Sequence, residues 1–210
     1  MQRIITEEQL AELREAVGKV LSPKRYNHTL EVEKMTERLC QIYCPDKILD
    51  LRAAALLHDI TKEYDNKVHI SMLSKPGIEF SLEERMAPKT YHARTAALLI
   101  PELYPEFADD DVISAVRWHT TGRANMTIPE KVLYLADYID MSRTFEDCVK
   151  LREFFFSKDV MSMSEEEKIS HLNTTLLMSF DMTIKGLLKE ERIINRDTIN
   201  ARNSLICALS

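Results

Sequence analysis

Residues 49–62 read LDLRAAALLHDITK. Ala53, Leu56, Leu57 and Ile60 recur at helical spacing and enclose the adjacent pair His58 and Asp59. A charged carboxylate in such surroundings is expensive unless another group compensates it. The stretch therefore predicts a core helix and asks for a partner to its polar pair.

The same period continues on both sides. In the preceding segment His28, Val32, Met35, Leu39 and Ile42 are spaced by four and three residues, so His28 ends a buried stripe. His92 shares a face with Ala96 and Leu99, and His119 follows Val112, Ala115 and Val116. Asp137 lies inside VLYLADYI, in line with Leu133 and beside Ala136. Thr6 with Gln9, Ser81 with Glu84 and Ser164 with Glu167 fit capping boxes, while Pro23, Pro88 and Pro129 suit first turns. These signals predict about eight to ten helices, near 7–20, 24–43, 46–58, 67–74, 88–100, 109–119, 129–141, 144–157, 165–189 and 198–207. No repeat, low-complexity tract or charge block divides the chain, so one all-α domain over residues 1–210 is expected.

Composition agrees and excludes other classes. The 210 residues include only 4 glycines, and so few tight-turn residues disfavour an all-β fold. A formal charge of −6, from 28 basic and 34 acidic side chains, argues against nucleic-acid or polybasic membrane binding. The N-terminal MQRIITEEQLAELREAV lacks a signal-peptide pattern, and no apolar run approaches the roughly 18 residues a spanning helix needs. A cytoplasmic location is expected. Cys40, Cys44, Cys148 and Cys207 lack zinc-type pairing and read as reduced, mostly buried thiols.

His28, His58, Asp59, His92, His119 and Asp137 all fall at inward positions. One or two divalent cations would satisfy together what each group would otherwise have to satisfy alone. Imidazole and carboxylate without thiolate suit iron, manganese or zinc better than magnesium or calcium. Metal sites of this kind turn water into a nucleophile and steady charge on phosphate oxygens. Lys62 stands one helical turn from Asp59, and Lys24, Arg25, Arg143, Arg196 and Arg202 lie near predicted helix ends, so phosphate chemistry fits best.

The pattern of His28, His58 with Asp59, and Asp137 resembles the HD-domain metal-dependent phosphohydrolases. RYNHTLEV (25–32), AAALLHDITK (53–62), YHARTAA (91–97), WHTTG (118–122), LADYIDMSR (135–143) and DTINARN (197–203) resemble one branch more closely. This is the YqeK family, the symmetrical bis(5′-nucleosyl)-tetraphosphatases, and the likeness spans residues 22–205 beyond an N-terminal helix within 1–21. Met141 stands where many relatives carry proline, and the N-terminal extension matches loosely.

The resemblance implies an all-helical HD fold whose site holds iron and cleaves diadenosine tetraphosphate with water into two ADP. It implies that His28, His58, Asp59 and Asp137 hold the first metal, with Asp59 able to bridge and His92 and His119 serving a second metal or the phosphates. Lys62 would polarise the phosphoryl group, making it catalytic together with Asp59. Nucleotide contacts would come from Arg25, Lys62, His92, His119, Thr120, Asp137, Arg143, and the run Thr198, Ile199, Asn200, Ala201, Arg202 and Asn203. That last run also reads as a simple helix start capped by Asp or Thr.

Two rivals stay open: an HD enzyme acting on a nucleoside monophosphate, a deoxynucleoside triphosphate or a guanosine alarmone, and a non-catalytic nucleotide-binding module. His69 and His171 lie outside every motif and read as packing or surface. Tyr26, Tyr91, Trp118 and Tyr138 suit base stacking or core filling. Monomer and homodimer both fit the sequence.

Overall fold

In the computed structural model, which describes residues 5–210, helices follow one another with short joints. They are α1 (Glu7–Val20), α2 (Pro23–Tyr43), α3 (Ile48–Leu57), α4 (Asn66–Leu73), α5 (Leu82–Arg85), α6 (Tyr91–Leu103), α7 (Asp110–Trp118), α8 (Ile128–Ile139), α9 (Glu146–Phe156), α10 (Glu165–Lys189) and α11 (Arg196–Leu209). Single 3₁₀ turns precede α3, α6, α7 and α10, and no strand occurs among the described residues. Residues 1–4 of the N-terminal segment lie outside the described residues.

The three expected capping boxes form, and a fourth, Thr127 with Glu130, starts α8. Pro23, Pro88 and Pro129 occupy first-turn positions. Two expected boundaries are corrected. The helix drawn from residue 46 begins at Ile48, because Pro45 first directs a 3₁₀ turn over Pro45–Lys47. The helix drawn from Pro88 likewise starts with a 3₁₀ turn, and α6 proper begins at Tyr91. The short α5 was not expected as a separate helix, although its capping box was legible.

From Leu51 to Leu57 every residue of α3 is buried, which makes it the central rod of the fold. The one charge in that buried stretch, Arg52, reaches Glu33 of α2 at 3.1 Å and Glu7 of α1 at 2.5 Å, so the ion is paired rather than stranded. The alanines at 53–55 let neighbours approach closely. Helices α2, α7 and α8 pack against α3, α6 packs on α7, and α10 closes the far side against α9 and α11. One hydrophobic cluster runs from Ile5 to Leu205. No described helix is long and apolar enough to cross a membrane.

Candidate metal centre

Five elements aim polar side chains at one point. His28 projects from α2, His92 from the first turn of α6, and Asp137 from the last turn of α8. The helix expected to run to residue 58 ends at Leu57: His58 is the C-cap of α3 and Asp59 lies on the following turn. His119 caps α7 in the same way. Each of these capping imidazoles uses Nδ1 on its own helix's last turn, 2.6 Å from the Ala55 carbonyl for His58 and 2.7 Å from Val116 for His119. With Nδ1 donating, Nε2 is left as a lone pair turned inward.

The Asp59 carboxylate stands between two sets of nitrogens. Its Oδ2 lies 3.5 Å from His58 Nε2 and 3.9 Å from His28 Nε2, and its Oδ1 lies 3.3 Å from His92 Nε2 and 3.8 Å from His119 Nε2. Asp137 Oδ1 is 3.0 Å from His28 Nε2 and 3.8 Å from His58 Nε2. His28 Nε2, His58 Nε2 and Asp59 Oδ1 are nevertheless buried without a hydrogen bond. Facing lone pairs with no protein partner are what a divalent ion would satisfy. Ligand atoms of His28, His58 and Asp137, and of His58, Asp59 and His119, lie within 4.8 Å of one another. The residues fit such an ion by both geometry and donor type.

Charge is arranged accordingly. Burial and then His58 push the His119 imidazole down to about 4, and burial lowers His58 and His92 as well, keeping these ligands neutral. Burial would raise Asp59, but His58, Lys62 and His92 outweigh it and hold the carboxyl below its ordinary value. Arg143 and His28 likewise overcome burial at Asp137. His28 is the exception: burial pulls it down, yet Asp137 and Asp140 raise it to about 9.

Cations line the rim. Arg25 donates to Asp59 Oδ2 at 2.7 Å and keeps its own Nε buried without a partner. Arg143 donates to both the carboxylate and the main-chain oxygen of Asp137. Lys62 Nζ lies 2.9 Å from His92 Nε2, and Thr120 Oγ1 lies 3.1 Å from the same nitrogen.

The structure brings together Arg25, His28, His58, Asp59, Lys62, His92, His119, Thr120, Asp137 and Arg143. It does not bring the run 198–203 to them: among the described residues no hydrogen bond or ion pair joins that run to the cluster. Thr198 and Ala201 are buried, Ile199, Asn200 and Asn203 are exposed, and Arg202 is held by Asp181 at 2.5 Å. The run meets the HTTG loop only in packing, where a Cβ on Gly122 would come within 3.0 Å of that of Ala201. The helix cap is neither Asp197 nor Thr198 but Asn195, which accepts from Asp197 N at 2.8 Å. Lys24 is exposed, and Arg196 pairs with Glu83.

Of the aromatic candidates, Tyr91 is buried and donates to the Arg85 carbonyl, Tyr26 and Tyr138 pack on the core, and Trp118 lies under Arg117. His171 packs on Phe155 and bonds its carbonyl, and His69 is buried against Thr95. Cys40, Cys44 and Cys148 are buried, whereas Cys207 is exposed. Sequence reasoning missed Asp140 and Ser142, which stand behind His28. Their signal was an aspartate one helical turn beyond Asp137, inside a segment already singled out.

The sequence pattern of the HD domain matches residues 25–142, more than half of the chain and every member of the cluster except Arg143. The chain belongs to the HD-domain family. Among relatives of this HD protein, the symmetrical bis(5′-nucleosyl)-tetraphosphatase of Halalkalibacterium halodurans is 32% identical over 190 residues, 89% of this chain and 91% of the relative. The enzyme of that name from Bacillus subtilis is 28% identical over 190 residues, covering 90% and 94%. A crystal structure from Clostridium acetobutylicum, described as a predicted HD superfamily hydrolase involved in NAD metabolism, superposes with a TM-score of 0.80 at 32% identity, covering 94% of this chain and 97% of that one. The likeness to these relatives thus extends beyond the HD-domain match, into α9 to α11.

Proposed function

We propose that this protein hydrolyses diadenosine tetraphosphate symmetrically, with water, into two ADP. The observation that carries the reading is the Asp59 carboxylate set between two groups of imidazoles and ringed by Arg25, Lys62 and Arg143. The near full-length likeness to symmetrical tetraphosphatases supports the choice of substrate.

His28, His58, Asp59 and Asp137 would hold a first divalent ion, and His92 and His119, facing the other oxygen of Asp59, a second. Bound there, the ion supplies Lewis acidity and a water nucleophile near neutral pH. Iron is the proposed occupant, and the nitrogen and oxygen donors also accept manganese or zinc. The chain's own groups do the rest. Arg25 offers its unpartnered Nε to a phosphate oxygen, and Arg143 keeps Asp137 ionised. Lys62 neutralises charge growing on the non-bridging oxygens, and Thr120 adds a hydroxyl beside it. The water oxygen bonds to a central phosphorus, the bridging P–O bond breaks, ADP departs with the electron pair and the water's proton passes to solvent. No protein nucleophile takes part. The domain is read as one unit over the chain, acting in the cytoplasm on free nucleotide.

The test is to load the protein with ferrous iron, supply diadenosine tetraphosphate and separate the products, with a metal-stripped control. ADP as the sole product supports the reading. AMP with ATP rejects central cleavage, and turnover confined to NAD, a deoxynucleoside triphosphate or a guanosine alarmone transfers the site to that substrate.

A further inference from the structure

The two sides of the cluster differ. On one side Arg25 and Arg143 are already bound to Asp59 and Asp137. On the other, beyond Lys62 and His92, a cavity of about 400 Å³ opens, its remaining walls being Tyr64, Asn66, His69, Pro88 and Lys89. That volume lies in the range of roughly 300–1,000 Å³ typical of small-molecule sites.

No carboxylate lines this cavity, whereas Lys62 and Lys89 do, in a chain whose net charge is −6. The contrast with the pocket between α5, α7 and the start of α11 is informative. There Arg94, Arg117 and Arg196 face Glu79, Glu83, Glu84 and Asp197, so positive charge is met within the protein. Here Lys62 has only Asp59, 3.8 Å behind it, and no carboxylate stands on the wall beside Lys89, so a polyanion is the complementary occupant.

The cavity is also braced against the cluster. His69 Nδ1 lies 2.9 Å from Thr95 Oγ1, Thr95 Oγ1 lies 2.9 Å from Thr61 Oγ1, and Thr61 bonds the His92 carbonyl at 3.0 Å. Its floor therefore moves with the turn that carries Asp59. At the side Tyr64 is 42% exposed, its ring centroid 5.9 Å from that of His69, leaving an aromatic face for a planar ring.

Cleavage at the centre of a symmetric tetraphosphate needs room for a nucleoside diphosphate on each side of the reacting phosphorus. One half would lie on the side of Arg25 and Arg143. We propose that the cavity receives the other, with Lys62 and Lys89 on its phosphates and Tyr64 stacked on its base; this rests on the reaction proposed above.

The test counts ADP bound per chain of the metal-loaded protein by equilibrium dialysis. Two are expected for the wild type and one for the double variant Tyr64→Ala with Lys89→Glu, both at exposed positions. Two in the variant, or one in the wild type, overturns the assignment. Kinetics supply a second arm. Tyr64→Ala should lower the preference for diadenosine tetraphosphate over adenosine 5′-tetraphosphate about tenfold in kcat/KM, since stacking on one base is removed. An unchanged preference in an active enzyme rejects the cavity but leaves the reaction standing. A wild type that cleaves neither compound removes the reaction and the subsite together.

Discussion

Asp140 Oδ2 lies 3.4 Å from His28 Nδ1, on the side of the ring away from the cluster, and has no hydrogen bond of its own among the described residues. Ser142 Oγ is 3.1 Å from the same nitrogen and donates to Asp140. A carboxylate behind a ligating imidazole fixes its tautomer and strengthens it as a donor, and loss of such a group typically costs about 10–100-fold in metal affinity. Asp140→Asn should therefore weaken ferrous or cobaltous binding by that factor, and should also lower the metal-free melting temperature at neutral pH, since Asp140 helps stabilise protonated His28. Competition with a chelator measures it; unchanged affinity would assign the orienting role to Ser142 alone.

His28 also sets a pH dependence. Its pKa in the folded, metal-free chain is raised from 6.5 to about 9, because Asp137 and Asp140 outweigh burial. A raised pKa contributes stability that is fully present below the unfolded value and lost as pH climbs through the folded one. The urea midpoint of metal-free protein should thus fall between about pH 6.5 and 9. A bound ion requires neutral imidazole, so metal loading at pH 7 should release close to one proton and flatten that slope. A level midpoint across this window without metal contradicts the assignment.

Lys62 and Asp59 separate catalysis from metal retention. Asp59→Ala removes the carboxylate shared by both groups of imidazoles and should abolish both metal content and turnover. Lys62→Ala should keep its metal, as measured by elemental analysis, and lose about 10²–10³-fold in kcat, the usual cost of one charge-stabilising donor. Full activity in a metal-free Asp59→Ala protein defeats the scheme.

Gly122 is held at φ +62°, and a Cβ there would approach Phe180 Cζ to 2.6 Å and Ala201 Cβ to 3.0 Å. Phe180 is fully buried and has nowhere to go. Gly122→Ala should destabilise the fold by roughly 2–4 kcal/mol through overpacking and backbone strain. Denaturant melts read the loss, and a fall below about 0.5 kcal/mol would show that α10 or α11 yields easily.

Helix positions and inward polar residues were legible because both follow from local periodicity and capping. His28, His58, Asp59 and Asp137 each sat on an apolar stripe, and the capping residues Thr6, Ser81 and Ser164 announced their helices. What escaped depends on partners distant in sequence. Arg202 reads as a free cation until Asp181, from another helix, is found beside it. His69 looks incidental until α4 is folded against α6, which puts it on the wall of a cavity.

His58 and His119 owe their orientation to the carbonyls of Ala55 and Val116, atoms present whatever side chain those positions carry. His28 instead leans on the side chains of Asp140 and Ser142. Point mutation can therefore strip the support from His28 but not from the other two. Random variation that retunes the metal should accumulate behind α2 and at the end of α8, leaving the ends of α3 and α7 as the heritable constant of the site.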